Sequence, residues 1–331
     1  MNAMEKMRGN EALRRRLFSA IRQGRFPHAC ILQGPKGCGK GLLALSLARA
    51  LQCEQGEGVS CGSCVSCRTI ESGNHPDVFW VEPKKTKVLG VEDIREQVVQ
   101  EVAIKPYRSR YKVFVLPEAD QMTVAAQNGF LKTLEEPPAY GVFLLLAEQA
   151  ASLLPTVRSR CPVYALKPLS QGEVASFLME EKQVPKERAA FLGEYAAGTI
   201  GKALWLLEDE GFLAMQSDVL EKLCALPKIN TATVLSWAAE WVQYKQNPLF
   251  WEVLLLFYRD VLLENQLPQS RFLLEKEKQS QIAALSQALT PGQIRRSLDA
   301  VWTAKKQAAQ NVNLQMALEE MLLTIKGEQH V

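Results

Sequence analysis

The sequence lacks the features that mark membrane, secreted and repetitive proteins. It contains no run of about eighteen apolar residues, the length that a membrane-spanning helix needs. Its charged, amphipathic N-terminus, MNAMEKMRGNEALRRRLF, lacks the apolar core of a secretory signal, so we expect a cytoplasmic protein with no membrane partner. Internal repeats and low-complexity tracts are also missing. With 47% hydrophobic and 23% charged residues, the chain is predicted to be globular and to form two or three domains.

The sequence also has few histidines and only a small net charge. The three histidines, His28, His75 and His330, are too dispersed for a catalytic or metal-binding cluster. The formal net charge is only +3 over 331 residues. Basic residues exceed acidic ones up to Pro168, and acidic residues exceed basic ones beyond it. The first half is therefore better suited to face phosphates, although so small an excess is typical of an ordinary solvated surface.

The order of apolar patterns divides the chain. Up to about residue 168, short apolar runs (ACILQG, DVFWVEP, YKVFVLP, VFLLLA and PVYAL) alternate with helical patterns. Such alternation predicts a parallel sheet with helices on both faces. From PLSQGEVASFLMEEK onward only amphipathic helices are predicted, broken by prolines and glycines. We expect an α/β domain over 1–168, a small helical unit over 169–210 and a larger helical domain over 211–331.

The stretch GPKGCGKG resembles a phosphate-binding loop, because it follows a predicted strand and opens a helix. Gly34, Gly37 and Gly39 would let backbone N–H groups converge on phosphate oxygens, and Lys40 would neutralise charge. Gly41 stands where a serine or threonine would bind magnesium.

The second magnesium ligand is missing too. An aspartate is expected after the strand KVFVL, and Pro117 follows it instead. An ordinary strand-to-helix turn and a competent ATPase are the alternatives to the favoured interpretation, a P-loop whose hydrolytic site has decayed. ATP or ADP could still bind, but we do not expect hydrolysis.

Four of the eight cysteines fall within one short loop, at Cys53, Cys61, Cys64 and Cys67. Two successive C-x2-C steps in a glycine-rich loop predict a structural zinc site with four thiolate ligands. Free thiols in a surface loop are the alternative. DNA binding by this zinc module, residues 53–67, lacks support because the loop itself has no basic residue and only Arg68 lies next to it.

The segment LLPTVRSRC places Arg158 and Arg160 on a turn before the last predicted strand. An isolated arginine at such a rim is usually only solvated. Together with HACILQGPKGCGKG, the four cysteines, GNHPDVFWVEP, VEDIREQV and YKVFVLPEADQMTVAAQNGFLKTLEEPP, however, the segment resembles delta-prime subunits of the bacterial DNA polymerase III clamp loader, in the AAA+ clamp-loader family. The resemblance runs in order through most of residues 20–168.

This resemblance implies an AAA+ P-loop domain, a small helical lid and a helical collar through which five subunits form a ring. It implies gamma or tau and delta subunits, the sliding clamp and, through the assembly, primed DNA as partners in replication. It further implies a subunit of the polymerase holoenzyme that has no ATPase activity alone. Its catalytic residue would be Arg160, which would enter the ATP site of an adjacent gamma or tau subunit as an arginine finger; such a residue can raise the rate about 10³- to 10⁵-fold.

Two other functions stay open at this point. A gamma/tau-type ATPase would have to hold magnesium without a ligand from Gly41 or Pro117. A zinc-containing DNA-binding protein with a vestigial P-loop would bind DNA without partners and in a salt-sensitive way. The same resemblance implies that Gly201 in AGTIGKALWLL stands in place of the lid-helix arginine of ATP-hydrolysing relatives, with the adjacent Lys202 as the alternative match; in the first case an element of nucleotide sensing would be absent.

Overall fold

The computed structural model describes residues 7–56, 58–84, 88–247, 249–270, 273–274, 278–310 and 312–327. Residues 1–6 and 328–331, which are the two ends of the predicted domains and include His330, lie outside the described residues. Parallel strands form one sheet in the order β2-β3-β4-β1-β5. They are β1 (Ala29–Gln33), β2 (Val78–Trp80), β3 (Lys112–Leu116), β4 (Gly141–Ala147) and β5 (Val163–Ala165). Each coincides with one of the apolar runs, with β4 beginning one residue before its run, so the strand predictions are confirmed.

Both faces of the sheet are buried, which explains why the central strands are apolar at nearly every position. Successive side chains of a strand point to opposite faces. Phe114 and Phe143 therefore lie in the core on one face, with rings stacked at 5.4 Å, whereas Val113 and Leu144 lie in the core on the other. The strand β1 lies between β4 and β5, so the loop that follows it leaves the sheet between these two neighbours.

Helices cover both faces. The helices up to residue 208 are α1 (Glu11–Arg22), α2 (Lys40–Gln52), α3 (Val65–Glu71), α4 (Val91–Ile94), α5 (Gln100–Val102), α6 (Val124–Glu135), α7 (Pro155–Arg158), α8 (Gln171–Lys182), α9 (Lys186–Tyr195) and α10 (Ile200–Glu208). On one face, residues of α1 and α2 pack on the sheet, and on the other face residues of α4, α5, α6 and α7 do so. A π-helical turn, Arg95–Val99, joins α4 to α5.

The chain divides into two compact units, Met1–Trp205 and Leu206–Val331. The second contains α11 (Glu210–Ala225), α12 (Thr231–Trp241), α13 (Phe250–Gln266), α14 (Gln279–Ala288), α15 (Pro291–Ala309) and α16 (Leu314–Lys326), and its described residues include no strand. Trp241, Phe250 and Phe257 are buried in its interior.

The predicted fold class, a parallel sheet with helices on both faces followed by a helical region, is confirmed. The boundaries at 168 and 210 stay predictions. Among the described helices, none is both long enough and apolar enough to span a bilayer.

Candidate functional site: a P-loop, a cysteine cluster and a rim arginine

The predicted phosphate loop has the strand–turn–helix geometry that its motif requires. The strand β1 ends at Gln33, and α2 begins at Lys40 with Gly39 as its N-terminal cap. Gly37 and Gly39 have φ angles of 81° and 93°, in the left-handed region that glycine adopts without steric cost. The glycines therefore let the backbone turn sharply into the N-terminus of α2, where N–H groups without helical partners can bind an anion.

Lys40 folds back over this loop. Its Nζ donates hydrogen bonds to the carbonyl oxygens of Gly34, at 2.6 Å, and Pro35, at 3.1 Å. The ammonium group is thus held at the turn by two backbone acceptors. The same positive charge is what a bound phosphate would need at this place.

The two positions expected to hold magnesium offer it no oxygen ligand from their side chains. Gly41 has no side chain, although a Cβ there would lie 3.7 Å from Cη2 of Trp80, at ordinary contact distance. Pro117 follows the end of β3, and the carboxylate of Glu118 lies 3.8 Å from Nζ of Lys36. The loss of the hydroxyl at Gly41 is therefore not forced by crowding.

Asp120, the next acid along the chain, is engaged with the backbone. Its Oδ2 accepts hydrogen bonds from the N–H groups of Glu148, at 2.9 Å, and Gln149, at 3.0 Å. These bonds connect the loop after β3 to the loop after β4. Asp120 therefore stabilises the edge of the sheet beside the P-loop.

A cavity of about 650 Å³ opens beside the P-loop. One wall is formed by P-loop residues 36–42, and Pro117, Glu118 and Glu148 contribute from the sheet edge. Phe177 of α8 and residues at the start of α10 also line it. The predicted phosphate-binding residues thus line a space of the size that small-molecule ligands occupy.

The first turn of α10 lies directly against the P-loop. Gly201 N–H donates to the carbonyl oxygen of Gly37 at 2.9 Å. A Cβ built on Gly201 would lie 2.7 Å from Cα of Gly37 and 3.0 Å from its carbonyl oxygen. Because both neighbours are backbone atoms, position 201 has no room for a side chain. The glycine, interpreted from the sequence as a missing arginine, permits this close approach.

The predicted zinc ligands come together. One Sγ each from Cys53, Cys61, Cys64 and Cys67 lies within 4.8 Å of the others, and those of Cys61 and Cys67 are 4.0 Å apart. Four sulfurs at about 2.3 Å from a tetrahedral zinc ion would lie about 3.8 Å apart. The four-cysteine cluster could therefore hold a metal ion with little rearrangement.

Local structure accounts for this convergence. Cys53 ends α2, and Cys64 caps α3, accepting the N–H of Cys67 on its sulfur at 3.4 Å. The N–H groups of Cys61 and Cys64 point at the sulfurs of Cys53 and Cys61, at 3.4 and 3.3 Å. The N–H of Cys64 lowers the pKa of the Cys61 thiol to about 6, whereas burial raises the pKa of Cys67 to about 12. Backbone donors thus favour thiolate, the ligand form, at one member of the cluster.

Arg160 lies away from the P-loop cavity, on the turn after α7. Its Nη2 lies 2.6 Å from Oε1 of Glu135, at the end of α6, and its Nη1 donates to the carbonyl oxygen of Thr156 at 2.8 Å. The side chain is 34% exposed. Arg160 is not among the described residues that line the cavity. The structure therefore brings the four cysteines together and the P-loop residues together, and it leaves Arg160 outside the P-loop cavity.

Comparison with known proteins places the chain in a family. The family model "DNA polymerase III, delta subunit" matches residues 9–170. The chain is 30% identical over 315 residues to DNA polymerase III subunit delta' of Bacillus subtilis, covering 94% of each protein. The chain belongs to the DNA polymerase III delta-prime family.

The Escherichia coli delta-prime subunit is 34% identical over 204 residues, which is 61% of each chain. Among solved structures, a DNA polymerase III gamma subunit-related protein from Thermotoga maritima matches 96% of this chain and 98% of its own, at 17% identity and a TM-score of 0.42. The delta-prime family that the sequence motifs indicated is confirmed by the family model and by the Bacillus subtilis relative.

Three contacts of this delta-prime family member escaped the sequence reasoning. They are the Glu135 partner of Arg160, the packing of Trp80 beside Gly41, and the close approach of Gly201 to Gly37. Each joins residues more than 20 positions apart, so no local spacing could reveal it. The partner of Arg160 had one signal in the sequence, because Glu135 lies in the family-like segment FLKTLEEPP.

Proposed function

We propose that this chain is a clamp-loader subunit of DNA polymerase III that does not hydrolyse ATP and that lends Arg160 to the ATP site of a neighbouring gamma or tau subunit. Membership of the delta-prime family supports the clamp-loader role. The proposed partners are gamma or tau and delta subunits in a ring of five, the sliding clamp, and primed DNA through the assembly.

The observation that carries the proposal is the state of the P-loop. Lys40 and the glycines are present, yet neither Gly41 nor Pro117 has a side-chain oxygen to bind magnesium. Phosphoryl transfer from ATP depends on magnesium to bridge the phosphates and neutralise developing charge. ATP or ADP would therefore bind through Gly34, Gly37, Gly39 and Lys40 without being cleaved.

Arg160 suits a role in a neighbour's site because of where it is held. Glu135 and Thr156 fix the guanidinium at the protein surface, outside the chain's own P-loop cavity. A guanidinium supplied from outside stabilises the charge on a transferring phosphoryl group. The proposed assignment is thus a catalytic arginine acting on a nucleotide that another subunit holds.

The zinc module would serve structure rather than catalysis. Cys53, Cys61, Cys64 and Cys67 offer a complete set of four soft ligands, which leaves no open position on the ion. When bound, zinc would order a loop that has few apolar residues to pack.

We further propose that 1–168, 169–210 and 211–331 act as P-loop domain, lid and collar, and that the protein is cytoplasmic.

The proposal is tested by measuring nucleotide hydrolysis for this chain alone and then beside its gamma-type neighbour. We expect no turnover alone, with or without magnesium, and turnover in the reconstituted assembly. Steady magnesium-dependent turnover by the isolated chain would favour a gamma/tau-type motor instead. Salt-sensitive DNA affinity of the isolated chain would favour a DNA-binding zinc protein.

A further inference from the structure

Arg49 is a buried cation without an adequate counter-charge among the described residues. Its side chain on α2 is only 2% exposed. Its ion-pair partner, Oε2 of Glu71, lies 3.7 Å from Nη2, which is beyond hydrogen-bonding distance, and that side chain is 54% exposed, so the pair is long and largely solvated. The Nε atom of Arg49 has no hydrogen-bond partner among the described residues. A buried arginine in this state is costly unless another negative group compensates its charge.

The surroundings of Arg49 belong to the cysteine loop. Arg49 precedes Cys53 by four positions at the end of α2, so the two residues share one face of that helix. A Cβ built on Gly62, next to Cys61, would lie 3.8 Å from Nη2 of Arg49. Glu71 lies at the end of α3, the helix that Cys64 caps. The guanidinium thus lies among the segments that carry the four cysteines.

The cluster supplies the missing negative charge once it holds a divalent ion. Four thiolates around one divalent ion carry a net charge of about −2, because each ligand must be deprotonated. The interaction of this charge with a buried guanidinium is screened far less than its interaction with a solvated side chain. Arg68 on α3 offers a comparison, since it is exposed to solvent.

We propose that Arg49 is the counter-charge of the four-cysteine metal site. In this assignment Arg49 does not ligate the ion; its buried guanidinium offsets the excess negative charge of the thiolates and so raises their affinity for zinc. This inference rests on the proposed zinc site. Arg49 would act through the thiolates and not on the ion itself. Its loss should therefore lower zinc affinity and not only disturb packing.

The test compares zinc affinity in Arg49→Gln, Arg49→Lys and Arg68→Gln with that of the unaltered protein. Zinc released to a colorimetric chelator in a competition titration gives the affinity, and metal analysis gives the stoichiometry. Loss of a side chain that supports metal ligands typically weakens metal binding about 10- to 100-fold, which is the loss we expect for Arg49→Gln. Arg49→Lys should recover most of the lost zinc affinity. The zinc affinity of Arg68→Gln should stay within about twofold of that of the unaltered protein, because the charge of Arg68 is solvated. An affinity of Arg49→Gln equal to that of Arg68→Gln would overturn the inference.

A second measurement separates charge compensation from packing. Thermal unfolding of the same variants, with and without zinc, gives the stabilisation that zinc supplies to each. We expect that stabilisation to be smaller in Arg49→Gln and restored in Arg49→Lys. Equal losses of stability with and without zinc would show a packing role and overturn the inference. If the unaltered protein binds no zinc, the proposed site itself fails, which is a different result from a zinc-binding protein that is insensitive to Arg49.

Discussion

The Nη2 atom of Arg160 lies 2.6 Å from the Oε1 atom of Glu135, and this ion pair holds the proposed arginine finger at the protein surface. Both side chains are partly solvated, with exposed fractions of 34% and 48%. Such pairs contribute little to stability, about 0 to 1 kcal/mol. The pair therefore orients the guanidinium more than it stabilises the fold.

Replacement of Glu135 by glutamine should separate these two effects. We expect the free energy of unfolding to change by less than about 1 kcal/mol. Nucleotide turnover by the reconstituted assembly should fall by up to about 100-fold, because the guanidinium stays present but is less well positioned. Urea unfolding and steady-state turnover measure the two quantities. A loss as large as that of Arg160→Ala would mean that Glu135 does more than orient the arginine.

Restoring side-chain oxygens at the two magnesium-binding positions should make nucleotide affinity depend on magnesium. A serine at position 41 fits, since its Cβ would lie 3.7 Å from Trp80, and it would change helix stability by only about 0.5 kcal/mol. Alone, Gly41→Ser should leave nucleotide affinity insensitive to magnesium because Pro117 still offers no carboxylate. Combined with Pro117→Asp, it should make the affinity magnesium-dependent in calorimetric titrations. Magnesium-dependent nucleotide binding by the unaltered chain would contradict this expectation.

Even a methyl group at position 201 should disturb the contact between α10 and the P-loop. The Cβ of Gly201→Ala would lie 2.7 Å from Cα of Gly37. Overpacking of this kind typically costs about 1–3 kcal/mol. Gly172→Ala in α8 is the matched control, because a Cβ there meets nothing within 4 Å and should stabilise the helix by up to about 1 kcal/mol. Urea midpoints that are equal for the two variants would disprove the close packing at Gly201.

Buried His75 predicts a loss of stability in mild acid. Its Nδ1 accepts the Asp77 N–H at 3.1 Å, and its Nε2 lies 3.2 Å from Oγ of Ser109. Burial lowers the pKa of His75 below its ordinary value of 6.5. The unfolded chain therefore takes up a proton near pH 6.5 while the folded chain does so only at lower pH, so stability falls as the pH drops from about 6.5 toward the folded-state pKa.

The variant His75→Gln should flatten this dependence. Midpoints of thermal unfolding between about pH 7 and pH 5, compared for the two proteins, measure the difference. We expect the gap in stability between them to narrow toward acid pH. A constant gap over this range would show that His75 does not titrate differently in the folded and unfolded states.

The parts of the molecule that were predictable from the sequence depend on neighbours along the chain. The five strands appear as short apolar runs because both faces of the sheet are buried. The P-loop turn appears through its glycines, and the cysteine cluster through its spacing, since each is built within one short segment. The delta-prime family followed from several such segments in order.

The remaining features depend on residues that are far apart in sequence. Glu135 and Arg160 are paired by the packing of α6 against α7, and no periodic pattern relates them. The burial of Arg49 runs against the usual preference of arginine for the surface, so its neighbourhood could not be expected from residue type. At Gly201 the sequence indicated only a missing arginine, whereas the structure shows a backbone contact that excludes any side chain.

The role of Arg160 is tested most sharply by ATP turnover of the reconstituted assembly that contains Arg160→Ala. We expect turnover to fall about 10³-fold or more, with subunit assembly intact. The variant Arg158→Ala, an exposed arginine at the end of α7, should leave turnover within about twofold, as expected for a solvated surface charge. Undiminished turnover with Arg160→Ala in a fully assembled complex would contradict the claim that this chain completes its neighbour's catalytic site.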